Sequence, residues 1–135
     1  MNCSKKNVWV IVLLLAFFSF PHVVFANKAA VTIEAPESAV KESEITIKIT
    51  VTHSANAMFH RVKWVYVMMN GKEIARWDYS MFNLPKPDGK LSDMPLVFTK
   101  EIKYTVHGRS EITAEASCNI HGSMGPAKAQ VSVSE

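Results

Sequence analysis

The chain has 135 residues, of which 48% are hydrophobic and 20% charged, the profile of one ordinary globular domain and not of a disordered or repetitive chain. Its 15 basic residues exceed 12 acidic ones, but Lys5 and Lys6 belong to a segment that is set apart below, and dropping those two leaves a formal charge of +1. No basic run of five remains, so nucleic acid is excluded as an expected partner.

Residues 1–26 read as a secretory signal. Lys5 and Lys6 form a basic start, Val8 to Phe18 is uninterrupted apolar sequence, and Pro21 precedes a Val24-Phe25-Ala26 ending suited to cleavage. The apolar stretch is short for a bilayer span, and Ser19, Pro21 and His22 interrupt the alternative reading as an uncleaved anchor. The expected product is residues 27–135, periplasmic or secreted, with no membrane attachment after signal cleavage. Cys3 lies ahead of the apolar run with no lipobox around it, which leaves Cys118 as the lone cysteine of that product. Exported proteins usually carry paired cysteines, so a lone thiol asks for an occupant, and a metal is the commonest.

From residue 27 onward the pattern has period two. Val31-Thr32-Ile33 reads as a strand, followed by a turn over residues 36–43. Ile45, Ile47, Ile49 and Val51 alternate with Thr46, Lys48, Thr50 and Thr52 in a half-buried strand. A third strand runs from His60 through Val62, Trp64, Tyr66 and Met68, with Trp64 and Tyr66 expected in the core. Asn70-Gly71 then predicts a type I′ hairpin, because both positions need positive φ, and residues 72–78 return antiparallel. Residues 80–95, with Pro85, Pro87, Gly89 and Pro95, form a long connection. Strands follow over 96–106, 111–117 and 127–133, with a turn at His107-Gly108. The whole predicts an all-β, immunoglobulin-like sandwich of about seven strands.

Two segments concentrate metal-binding side chains. In the first, His53 ends one strand and His60 opens the next. In the second, Cys118 and His121 share a tight loop at C-x-x-H spacing, with Gly122 free to fold the backbone over an ion. Both lie at strand ends, where the loops of a sandwich gather. His107, at the far end of the strand that delivers Cys118, is expected to be a turn residue. There is no Ser-His-Asp set, phosphate-binding glycine loop or paired carboxylate motif, so hydrolase and nucleotide chemistry have no support.

At these segments the chain resembles a known family. His53 with His60-Arg61-Val62-Lys63-Trp64, and Cys118-Asn119-Ile120-His121-Gly122, are similar to the His…His-x-x-x-Trp and Cys-Asn-x-His-Gly signatures of the iron domain of superoxide reductases, the desulfoferrodoxin and neelaredoxin group. The resemblance implies one mononuclear non-haem iron, with His53, His60 and His121 lateral and the sulfur of Cys118 axial. It implies reduction of superoxide to hydrogen peroxide with electrons from an external donor protein, and it leaves a homo-oligomer open. Two departures stand out. Family members carry a further histidine in a Glu-Lys-His-Val-Pro stretch, and the matching residues here are Asn27-Lys28-Ala29-Ala30-Val31. Ala29 therefore stands at a ligand position, while Lys28 matches the lysine expected to attract superoxide. The spacing from His53 to His60 is also one residue longer than is usual.

Copper is the rival metal. Cys118, His121 and Met124 have the spacing of a blue-copper loop, which His53 or His60 would complete as a cupredoxin-like electron carrier. Structural zinc ranks behind both, and a non-catalytic immunoglobulin-like redox partner with a decayed site is the remaining reading. One cysteine cannot build the additional four-cysteine iron centre of some relatives.

Overall fold

The computed structural model describes residues 28–90 and 95–135, so the expected signal segment lies outside the described residues. Eight strands and no helix occur among them: β1 (Ala30–Glu34), β2 (Ser38–Val40), β3 (Glu44–His53), β4 (Val62–Met69), β5 (Lys72–Asp78), β6 (Leu96–Thr105), β7 (Ser110–Cys118) and β8 (Ala127–Ser134). They form two sheets, ordered β1-β3-β6 and β2-β8-β7-β4-β5. This is the all-β sandwich expected from the alternation. The additional strand is β2, three residues pairing in parallel with β8 inside the segment expected as a turn. Three residues are too few to show a period.

The sheets meet through rows of branched aliphatic side chains. Ile45, Ile47, Ile49 and Val51 of β3, with Leu96 and Phe98 of β6, line one inner face. Val65, Val67 and Met69 of β4, Ile112, Ala114 and Ala116 of β7, and Val131 of β8 line the other. Each buried isoleucine or valine contributes about 1.5–3 kcal/mol of transfer free energy. Asn70 and Gly71 have φ of 50° and 78°, as the expected hairpin requires.

Trp64 and Tyr66 are not in the core. The pairing of β4 with β7 shifts between Val62 and Trp64, and this bulge inserts one residue that changes which face later side chains occupy. Val65 and Val67 turn inward, while Trp64 and Tyr66 stack on the outer face at 5.3 Å, with the Arg76 guanidinium 5.7 Å from the indole. The same bulge lets Val62 share the inner side with Val65.

Two tyrosines hold their protons unusually well. Tyr66 donates to Glu115 Oε2 at 2.5 Å, and that bond, with burial and the charge of Glu115, pushes its pKa up to about 12. Burial alone pushes Tyr79 up to about 12. An unfolded tyrosine ionises near 10, so the unfolded chain sheds these protons first. Their stabilising effect is complete below about pH 10 and is lost as pH rises toward 12. Urea midpoints measured from pH 9 to 11 are expected to fall, less steeply in Tyr79→Phe. Ile49→Ala is expected to lower unfolding free energy by about 2–5 kcal/mol at constant denaturant slope.

Candidate metal centre

Alternation carries two donors inward. On β3 the buried row Ile45, Ile47, Ile49, Val51 continues to His53, which is 1% exposed. On β7 the row Ile112, Ala114, Ala116 continues to Cys118, 3% exposed. The two strands belong to opposite sheets, and their final residues reach the same end of the core. Cys118 is paired with Val62, two residues beyond His60. Donor atoms of His53, His60 and Cys118 consequently all lie within 4.8 Å of one another.

His121 joins them through its Nδ1, 3.2 Å from His60 Nε2 and 3.8 Å from Cys118 Sγ. The His60 ring centroid lies 4.9 Å from the centroids of both His53 and His121. His53, His60 and Cys118 are thus brought together, and His121 reaches His60 and Cys118. Imidazole nitrogens about 2.1 Å from a first-row divalent ion lie about 3.0–3.4 Å apart at right or tetrahedral angles. The spacing between His60 and His121 falls in that range.

The surrounding hydrogen bonds orient the candidate ligand atoms. His53 Nδ1 sits 2.6 Å from the carbonyl of Ala55. A carbonyl only accepts, so Nδ1 carries a proton and Nε2 is the nitrogen left for a metal. The backbone N–H groups of Ile120 and His121 approach Cys118 Sγ at 3.4 and 3.5 Å and fix the direction of the sulfur. A donor set of imidazoles and one thiolate fits iron, copper or zinc and not the oxygen-seeking magnesium or calcium.

The loop from Cys118 to Gly122 closes on itself, the Cys118 N–H donating to the Gly122 carbonyl at 2.9 Å and the Gly122 N–H to the Cys118 carbonyl at 3.1 Å. Gly122 has φ of +78°, where a side chain strains the backbone. The Gly122 carbonyl also accepts the Ala29 N–H, and the Ala29 carbonyl accepts the Met124 N–H. Ala29, fully buried, is thereby held against this loop, and its methyl group offers no donor. Lys28 is exposed immediately before it. Met124 is 51% exposed.

His107 lies outside the cluster. Its Nδ1 is 2.9 Å from Glu42 Oε2, at the end of the sandwich where Glu44 pairs with Thr105, whereas His53 pairs with Leu96 at the other. Sequence reasoning assigned nothing to Asn119, although it lies between the cysteine and the histidine. Its carboxamide binds the backbone on both sides of His60.

Comparison with known proteins places these features in context. The desulfoferrodoxin family model matches residues 24–124. A search of curated proteins found no match. Among solved structures, the superoxide reductase (neelaredoxin) from Ignicoccus hospitalis is 18% identical, with a TM-score of 0.58 over 81% of this chain and 84% of that one. The superoxide reductase (neelaredoxin) from Archaeoglobus fulgidus in the reduced form is also 18% identical, with a TM-score of 0.54 over 76% and 89%. The CARDB domain of a Pyrococcus furiosus protein, in complex with di-metal ions, is 17% identical, with a TM-score of 0.58 over 82% and 96%. At these identities the structural likenesses establish the sandwich fold.

Gly122→Ala tests the loop. A Cβ there would meet nothing within 4 Å, so the cost is conformational alone, and urea denaturation is expected to show a loss of about 1 kcal/mol.

Proposed function

Since the chain belongs to the desulfoferrodoxin family, we propose that it is an exported, superoxide-reductase-like protein that uses one mononuclear non-haem iron and an external electron-donor protein. The observation that carries this reading is the approach of three imidazoles and one thiolate at a single end of the core. When bound, ferrous iron supplies the one electron that, with two protons, converts superoxide to hydrogen peroxide.

The chain's own residues do the rest. His53, His60, His121 and Cys118 would hold the ion, the sulfur supplying electron density that favours giving up an electron while two backbone N–H groups draw part of that density back and orient the sulfur. With alanine at position 29, the protein would furnish three imidazoles where its relatives' motif has one more. Beside the ligands in sequence, Lys28 precedes Ala29 and Arg61 follows His60, and both are cationic. Such an excess of positive charge raises the local concentration of a small anion and speeds its arrival. Lys28, adjacent to Ala29, is assigned the role of attracting superoxide.

Metal analysis of protein purified from the periplasm is expected to find one iron per chain, with an amino terminus near Asn27. The oxidised protein is expected to show a red absorption band from thiolate-to-iron charge transfer that Cys118→Ser abolishes. Superoxide should be consumed without release of dioxygen, more slowly in Lys28→Ala and with weaker dependence on ionic strength. Copper in place of iron, with a spectrum that shifts in Met124→Leu, would overturn this reading in favour of a cupredoxin-like carrier.

A further inference from the structure

The histidine with the least support from regular structure is His60. His53 ends a ten-residue strand, and His121 is part of the closed loop that follows β7. His60 instead precedes β4, in a connection that reaches from β3 in one sheet to β4 in the other. A side chain on such a segment is expected to sample several positions unless its backbone is fixed.

Its backbone is fixed from two directions. The His60 N–H donates to the Ala57 carbonyl at 3.2 Å, and the His60 carbonyl accepts the Ala57 N–H at 2.9 Å. The neighbouring groups all go to Asn119. The Phe59 carbonyl accepts Asn119 Nδ2–H at 3.0 Å, the Arg61 N–H donates to Asn119 Oδ1 at 2.8 Å, and the Arg61 carbonyl accepts the Asn119 backbone N–H at 3.0 Å. Five consecutive backbone groups around His60 are therefore satisfied, three of them by one residue. Both ends of the carboxamide are used, its oxygen as acceptor and its nitrogen as donor, so that one side chain reaches two separate backbone groups from two separate atoms.

Asn119 is also next to Cys118, so the same residue that anchors the His60 segment shares a peptide bond with the sulfur ligand. We propose that Asn119 is a positioning residue that presets His60 Nε2 against His121 and Cys118 before any ion arrives. This rests on the metal reading given above for its consequence, but not for its geometry. The two sides of the site come from segments nearly sixty residues apart, and Asn119 ties them by side-chain bonds that a metal does not have to make. Ordering a histidine in advance removes a cost that binding would otherwise bear, and groups that orient a ligand typically change metal affinity about 10–100-fold when removed.

Nuclear magnetic resonance of the full chain without metal, combined with a cobalt(II) titration, tests this. The wild type is expected to show one set of His60 ring signals. In Asn119→Ala the His60 ring should give averaged or doubled signals, the Arg61 amide should exchange about 10-fold faster or more, and cobalt should bind about 10–100-fold more weakly. A thiolate-to-cobalt band should survive but move. Asn119→Asp keeps the acceptor for Arg61 and loses the donor to Phe59, so it should fall between the two. Unchanged His60 signals in Asn119→Ala overturn the proposal whatever cobalt does, and so does disordered His60 with unchanged cobalt affinity. Loss of amide protection throughout the core in that variant would show the carboxamide sustaining the fold and not the histidine, which overturns it as well. A wild type that takes no cobalt would sink the metal reading instead, with His60 ring order still deciding whether Asn119 presets it.

Discussion

The structure depends on two apolar faces, one from each sheet, being pressed together along strands of fixed period. Ile45, Ile47, Ile49 and Val51 have to face Val65, Val67, Ile112, Ala114 and Ala116 because nothing else in the described chain removes so much apolar surface from water. Once that contact is made, every second residue of β3 and β7 points into the same space. His53 and Cys118 are the last members of those rows, so the packing that stabilises the domain also delivers two of the four donors to one end of the core. The donors occupy the place where the aliphatic rows stop.

The remaining two donors need local devices that packing does not provide. The bulge in β4 keeps Val62 on the inner side while Val65 and Val67 continue the apolar face, so the segment just before β4 approaches Cys118. The positive φ of Gly122 turns the chain back sharply enough to place His121 Nδ1 within 4 Å of Cys118 Sγ. Asn119 joins the two segments. These devices share a feature: each is a single residue whose conformational freedom, missing side chain or paired donor and acceptor does what a strand cannot.

Much of this was legible in the amino-acid order. The sandwich follows from the alternation over residues 44–53 and the Asn70-Gly71 hairpin, and the four donors stand out by residue type and by their positions at strand ends. The inward direction of His53 and Cys118 is written in the parity of the residues before them, since His53 extends the run of Ile45 to Val51. What alternation does not carry is the bulge. Reading β4 with an unbroken period puts Trp64 and Tyr66 inside, and only the pairing with β7 shows that one inserted residue moves them out. The strand β2 is hidden for a related reason, because three residues paired in parallel to a distant strand leave no local trace. Asn119 escaped notice because its partners are backbone groups some sixty residues earlier, and asparagine in a loop is ordinarily a turn residue.

The division of the donors between the layers has a mechanical side. His53 hangs from the three-stranded sheet, whereas Cys118 and His121 extend from the end of β7 in the five-stranded one. Aliphatic rows resist separation, but dispersion forces have little directional preference and allow one layer to slip slightly over the other. A cation gripped from both layers at once would act as a rivet against such shear, at the end where β3 and β7 run out of apolar residues. Mechanical stiffness of the sandwich would then be greater with the rivet in place, added to the hydrogen bonds between Ala29 and the Cys118–Gly122 loop that already join the layers there.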